Sequence, residues 1–316
     1  MKKQGDFFND SANDIDEVLR YKKYNEAHCW QYDIRIKNLH SDLSMSGLSF
    51  DEAKNIKIQD FEFKFVSSEN KDLCNKIKKF IEKHEWLGKM PNRPTHRFIA
   101  TYKNLIVGTI IMATPNAFSN LINKDYKNAE KLIARGACIS FSPKNTASWL
   151  LMKSIKWMVQ NTDFRIFTAY SDVEAKELGT IYQACNFFYL GQNFGAKTMY
   201  LDPKNKEKGW FSDREFRKKS KYRFYATNLG ISVNEFEKYM GKWSPLWNLM
   251  PHELVLAIKQ EEQKYKNTCL VRQVKPKHKY AYVLGADKKE TKQLKKLFLS
   301  NFKKDDLFNY PQIRGE

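Results

Sequence analysis

A chain of 316 residues, 42% hydrophobic and 14% aromatic, can bury one large core or two modest ones, which excludes a disordered or fibrous protein. Its 55 Lys and Arg against 36 Asp and Glu leave a formal charge of +19, so a polyanion is the first class of partner to expect. No apolar run is long enough to cross a bilayer, the opening MKKQGDFFNDSANDIDE lacks the apolar core of a secretory signal, and five scattered cysteines form neither a disulfide framework nor a CxxC zinc site. The expectation is a cytoplasmic protein with reduced thiols and no membrane partner.

In chain order, the first seventeen residues read as a loose polar tail, and HCWQYDIRIKNL (28 to 39) has strand-like alternation. Residues 1–58 are therefore an N-terminal extension to which no chemistry is assigned. FEFKFV (61 to 66) alternates cleanly and opens the catalytic domain, expected over 59–203. The helix LCNKIKKFIEKHEWLG (73 to 88) follows, with Leu73, Ile77, Phe80 and Ile81 on its apolar face and His84, Glu85 and Trp86 at its end. RFIATY (97 to 102) and LIVGTIIMA (105 to 113), joined by Lys103 and Asn104, predict a hairpin.

LIARGACISFS then gives a central strand that Pro143 ends, before a helix over 146–158 that Asn145 is placed to cap. RIFTAY (165 to 170) is the next buried strand, Asp172 follows it directly, and residues 174–184 read as a helix stopped by Asn186. Strand and helix alternate as in a parallel α/β layer, whose ligands collect at the carboxyl ends of strands. Asp172 is placed there as a base or base-orienting group, with Glu85 as a second carboxylate; the plainer reading of Ser-Asp after a strand is ordinary turn chemistry.

The last third differs in composition. Residues 204–316 hold 26 basic and 13 acidic side chains, the footprint of a nucleic-acid surface, or more plainly a lysine-rich solvated face. Ala226, Gly230, Ile231 and Phe236 have a loose helix-turn-helix spacing around Arg223. A helix over 252–266 leads to the strand-like VRQVKPKHKYAYVLG, where Lys275, Lys277, His278, Lys279 and Tyr280 interleave charge with aromatic faces suited to phosphates and bases. The tyrosines equally suit the buried side of a strand.

IYQACNF (181 to 187) resembles the Tyr-x-x-x-Gly-Phe signature of the acetyltransferase superfold called GNAT, with Asn186 in place of glycine. RGACISFSPKNTASW (135 to 149) with AYSD and GTIYQACNFFYLG resembles, more specifically, the Mom family of bacteriophage proteins, a GNAT-related group that adds a carbamoylmethyl group to adenine N6. The resemblance covers roughly residues 80 to 202, and a weaker one covers KPKHKYAYVLG (275 to 285).

It implies a GNAT-like mixed sheet with flanking helices in an α/β (α+β) fold, followed by a basic, mostly helical C-terminal extension. It also implies a DNA-modifying transferase that protects phage DNA from restriction, with double-stranded DNA as partner. Tyr182 becomes the proton donor, and Arg135, Ser142, Lys144, Asn145 and Ser148 the donor site. SPKNTAS carries no glycine, unlike the loop that cradles the pyrophosphate of coenzyme A in GNAT enzymes, so the donor is either acyl-CoA or an aminoacylated carrier such as charged tRNA. The family's iron would draw on His84, Glu85 and Asp172, although Glu85 and Trp86 replace the residues of a His-His-Tyr run. An acyl or aminoacyl transferase acting on protein or RNA amines, and a DNA-binding protein without activity, are the alternative readings.

Overall fold

The computed structural model describes residues 29–192, 195, 197–302 and 307–314, so the expected polar tail lies outside the described residues. The chain divides into two compact units, one made of residues 1–194 and 277–316, the other of residues 195–276.

The first unit is built on a seven-stranded mixed sheet, which bears out the α/β class. Its strands are β1 (Glu62–Val66), β2 (Pro94–Tyr102), β3 (Leu105–Ala113), β4 (Glu130–Cys138), β5 (Ile166–Ser171), β6 (Phe188–Tyr189) and β10 (His278–Val283), in the spatial order β1-β2-β3-β4-β5-β10-β6. The β2–β3 hairpin turns on Lys103 and Asn104, both left-handed with φ of 45° and 66°, as a tight two-residue link requires. β4 and β5 run parallel, joined by the helix α4 (Thr146–Asn161); β10 pairs antiparallel with both β5 and β6.

Helices α1 (Trp30–Ser46), α2 (Phe50–Asn55) and α3 (Lys71–His84) precede or follow β1. The strand expected over 28–39 is instead the start of α1. Tyr32, Leu39 and Leu43 are its buried apolar residues, a helical spacing that outweighs the two-residue alternation around them. Nor do the described residues of the expected extension, 29–58, stand apart. Gln31 and Asn38 donate side-chain hydrogen bonds to the carbonyls of His84 (2.6 Å) and Lys83 (2.7 Å), which leave the end of α3 without helical partners, and Arg35 donates twice to the carbonyl of Ser140.

At the other end of the chain, Tyr280, Ala281 and Val283 of β10 are buried in the sheet, and Leu294 and Phe298 of α9 (Lys288–Leu299) form a second core cluster with Phe188 and Val283. Residues 277–316 thus belong to the first unit, and the boundary expected at 203/204 is replaced by an insertion between β6 and β10.

The inserted unit has a three-stranded sheet, β7 (Lys197–Leu201), β8 (Phe211–Ser212) and β9 (Leu270–Val274), and three helices, α6 (Lys219–Asn228), α7 (Val233–Glu237) and α8 (His252–Thr268). Tyr222, Tyr225, Phe236 and Ile258 make its core. By sequence it carries 17 basic and 9 acidic residues. The expected helical character of this region holds, and Gly230 takes the left-handed turn (φ 78°) between α6 and α7.

Candidate active site

β4 and β5 stop pairing at Ile133 opposite Ala169, yet both continue: β4 to Cys138, held by β3, and β5 to Ser171, held by β10. A bulge at Ala134, between the pairs Ile111–Arg135 and Met112–Ile133, helps to turn β4 aside. The two strands splay into a cleft of about 1680 Å³ whose walls include Ala134 to Cys138 on one side and Tyr170 to Asp172 on the other. Cleft formation at the carboxyl ends of parallel strands is the expected place for a ligand.

Asp172, Glu85, Glu177, Tyr182, Arg135 and Lys277 all line this cleft. Asp172 is not a free carboxylate. Its Oδ1 accepts from the Glu174 amide at 3.0 Å, and its Oδ2 is ion-paired with Lys277 at 2.5 Å. It is therefore both the turn residue of the plainer reading and the anchor of a cleft lysine. Glu85 is buried, and that burial raises its pKa against the pull of Arg135, whose Nε lies 3.8 Å away, and of the Leu87 and Gly88 amides, each donating to Oε2 at 3.0 Å.

Glu177 was not legible in the sequence, where it sits inside an expected helix over 174–184. That helix shrinks to α5 (Thr180–Ala184), because Lys176 and Gly179 take left-handed φ of 55° and 70° and break it. The Glu177 amide donates to the Asp172 carbonyl and its carboxylate faces the Asp172 amide at 3.3 Å, closing a loop that turns the side chain into the cleft. Burial first, then the negative charges of Glu85 and Asp172, push its carboxyl up to about 7. Burial, followed by the charge of Glu177, also holds the Tyr182 phenol far above its ordinary range. Tyr182 is thus a proton-bearing donor throughout the physiological range.

The expected donor residues fall partly together. Arg135, Ser142, Lys144 and Asn145 line the cleft; Ser148 does not, its hydroxyl donating to the Asn145 carbonyl at 3.0 Å. Asn145 does not cap α4 through its side chain. It takes the left-handed conformation (φ 64°) that glycine usually supplies, and Thr146 Oγ1 closes the turn by donating to the Pro143 carbonyl at 2.8 Å.

The expected nucleic-acid residues are not all exposed. His278, Lys279 and Tyr280 are buried in β10, where Tyr280 donates to the Leu178 carbonyl, Lys279 meets Ser119, and His278 Nδ1 lies 2.9 Å from the Tyr189 hydroxyl. Apolar neighbours on β5 and β6 claim this strand, so its tyrosines are core. Lys277 serves the cleft. Arg223 is ion-paired with Glu237 at 2.6 Å, and Lys275 is exposed on the second unit.

The iron set does not assemble. His84 points away from the cleft: Nε2 meets the buried Asp42 carboxylate at 3.0 and 3.1 Å, and Nδ1 faces the Phe80 carbonyl at 3.1 Å. Both ring nitrogens face acceptors, so neither offers a lone pair to a metal. Among the described residues no group of three or more His, Cys, Asp or Glu side chains is arranged to hold a metal ion.

A family model described as the Mom protein family matches residues 73–242, more than half of the chain. The chain belongs to the Mom protein family. The span holds the cleft residues Glu85, Arg135, Asp172, Glu177 and Tyr182, whereas Lys277 and β10 lie beyond it. A search of curated proteins finds no match to this Mom-family chain.

Solved structures that resemble it include an acetyltransferase from Bacillus subtilis in complex with CoA, 9% identical, covering 71% of this chain and 99% of that one at a TM-score of 0.32. An N-acetyltransferase from Staphylococcus aureus Mu50 is 14% identical over 55% of this chain and 85% of its own, at a TM-score of 0.25. At that level of likeness they bear on neither activity nor donor.

Proposed function

We propose that this Mom-family protein is a transferase that joins a small group, of the carbamoylmethyl or acyl type, to an amine of a DNA base, with adenine N6 as the first candidate. The observation that supports it most is the gathering of Glu177, Tyr182, Arg135 and Lys277 in one cleft at the carboxyl ends of the parallel strands β4 and β5.

Adenine N6 is a weak nucleophile because its lone pair is drawn into the ring, so a base must take the N–H proton as the new bond forms. Glu177, at about 7, is half in its base form at neutral pH and still basic enough to accept. In an acyl transfer the bond from N6 to the acyl carbon forms, the bond from that carbon to its carrier breaks, and Tyr182 donates its proton to the departing atom. The proton on Glu177 then restores the tyrosine. Glu85 and Arg135 form a fixed pair beside them, and Lys277, held by Asp172, offers a cation to a developing oxyanion or a phosphate.

The donor enters by the start of α4, where exposed Lys144 and the first turn of the helix favour an anion. The loop has glycine's conformation at Asn145 but not its bareness, since Pro143, Lys144 and Asn145 all place side chains at the approach. An aminoacylated carrier, held by its own phosphates on basic surface, suits this loop better than coenzyme A. Calorimetry should show no saturable micromolar binding of acetyl-CoA, and such binding together with label passing from acetyl-CoA to DNA would restore the conventional donor. For the activity itself, mass spectrometry of nucleosides from the DNA of an expressing host should show a new adenosine adduct; an unmodified nucleoside profile in cells holding folded protein would refute the reading.

A further inference from the structure

Trp243 is the most exposed large apolar side chain among the described residues, with 79% of its surface open to solvent. It is not on a fraying loop. The Gly241 amide donates to the Ser244 carbonyl at 2.9 Å, Met240 bridges Pro245 in antiparallel fashion, and the Leu246 amide donates to the Tyr239 carbonyl at 2.7 Å. These bonds make a narrow finger over 239–246 whose two-residue tip is Lys242 and Trp243.

The finger is built to stay narrow. A Cβ at residue 241 would stand 2.9 Å from the Ser244 carbonyl oxygen and 3.0 Å from Leu246 Cδ2, so the residue there is glycine. Its base is anchored, because Tyr239, Met240 and Trp247 pack against the core of Tyr222, Tyr225 and Phe236. Lys242 lies 5.4 Å from the Trp243 ring centroid, and at the base of the finger Lys238 lies 4.9 Å from that of Tyr239, so the tip and the base each carry a cation.

A large, flat, apolar ring at the end of a stiff cationic finger matches one chemistry: the base stack of a polyanion. We propose that the Lys242–Trp243 tip enters the stack of duplex DNA, the indole stacking on a base step while the lysines meet the adjoining phosphates. The inference rests on the reading of the cleft as a base-modifying site, because an enzyme that works on a base amine must first take the base out of the helix. An aromatic wedge between base steps offsets part of the cost of unstacking the helix. The basic excess of the inserted unit, 17 against 9, supplies the long-range attraction that brings the finger to DNA.

The test uses the full-length protein and a duplex carrying 2-aminopurine, whose fluorescence rises when it is unstacked, with anisotropy as a parallel measure of binding. Wild type should bind and give the rise. Trp243→Ala should bind within a few fold yet lose the rise by roughly tenfold or more, and Trp243→Phe should recover part of it. Equal fluorescence from wild type and Trp243→Ala would overturn the wedge while leaving the cleft reading intact. Wild-type protein that neither binds DNA nor unstacks the probe would sink the cleft reading itself. Loss of binding to a protein partner, with DNA unstacking unchanged in Trp243→Ala, would show that the tip is a protein contact.

Discussion

The proton inventory of the cleft comes down to Glu177. Glu177→Gln should keep the fold and lose about 10²-fold or more in rate, a general-base loss, whereas Asp172→Asn should act mainly by releasing Lys277. Because the base form is the active one, kcat/KM should rise with pH and level off above about 7. Stability runs the other way. A carboxyl raised from 4.5 to about 7 binds its proton more tightly in the folded state, a contribution that is complete below about 4.5 and lost as pH rises through 7. Glu177→Gln should therefore gain in melting temperature over wild type at pH 8 more than at pH 5; equal differences at both would show that the carboxyl is not buried with its proton.

Within elements, the firmest prediction concerns Asp42 of α1. Burial alone would raise its carboxyl, but hydrogen bonds from His84, Lys83 and Ser140 and the charge of His84 hold it at about 2. This stabilisation is present above about 3.8 and disappears as pH falls through 2. Asp42→Asn should cost about 3 kcal/mol in urea unfolding at pH 7 and remove most of the acid sensitivity between pH 4 and 2, since it breaks a buried pair. Gly179 is a second fixed point: its φ is 70°, and a Cβ there would lie 2.5 Å from Tyr280 Cε2. Gly179→Ala should destabilise by about 1 to 3 kcal/mol and displace Glu177, lowering activity as well.

These two elements also mark where the sequence is readable and where it is not. β2, β3 and α4 follow from alternation and helical spacing, and Asn186 does take the left-handed conformation (φ 56°) expected of it. The start of α1 mimics a strand, because WQYDIRI satisfies a period of two over a stretch shorter than the helix it begins. Glu177 was hidden because a left-handed Lys176 has no sequence signature, and Lys277 because its partner Asp172 lies 105 residues away. Local rules reach local geometry, and the cleft is assembled by contacts far apart in the chain.

At the scale of the whole molecule, the insertion between β6 and β10 changes which experiments are meaningful. Deleting residues 204–316 would remove β10 from between β5 and β6, so loss of DNA binding in that truncation would report unfolding. Charge-removing substitution of exposed lysines in the inserted unit, such as Lys238→Gln with Lys242→Gln, leaves the sheet alone. Each phosphate contact removed should flatten the slope of log K against log salt by about 0.9. An unchanged slope would place the DNA surface elsewhere. The central claim, that the cleft modifies DNA, is tested most directly by comparing nucleosides from hosts expressing wild type and Glu177→Gln at equal levels of folded protein. An adenosine adduct in the first and about a hundredth of it or less in the second is the predicted result; the same adduct level in both, or none in either, would contradict it.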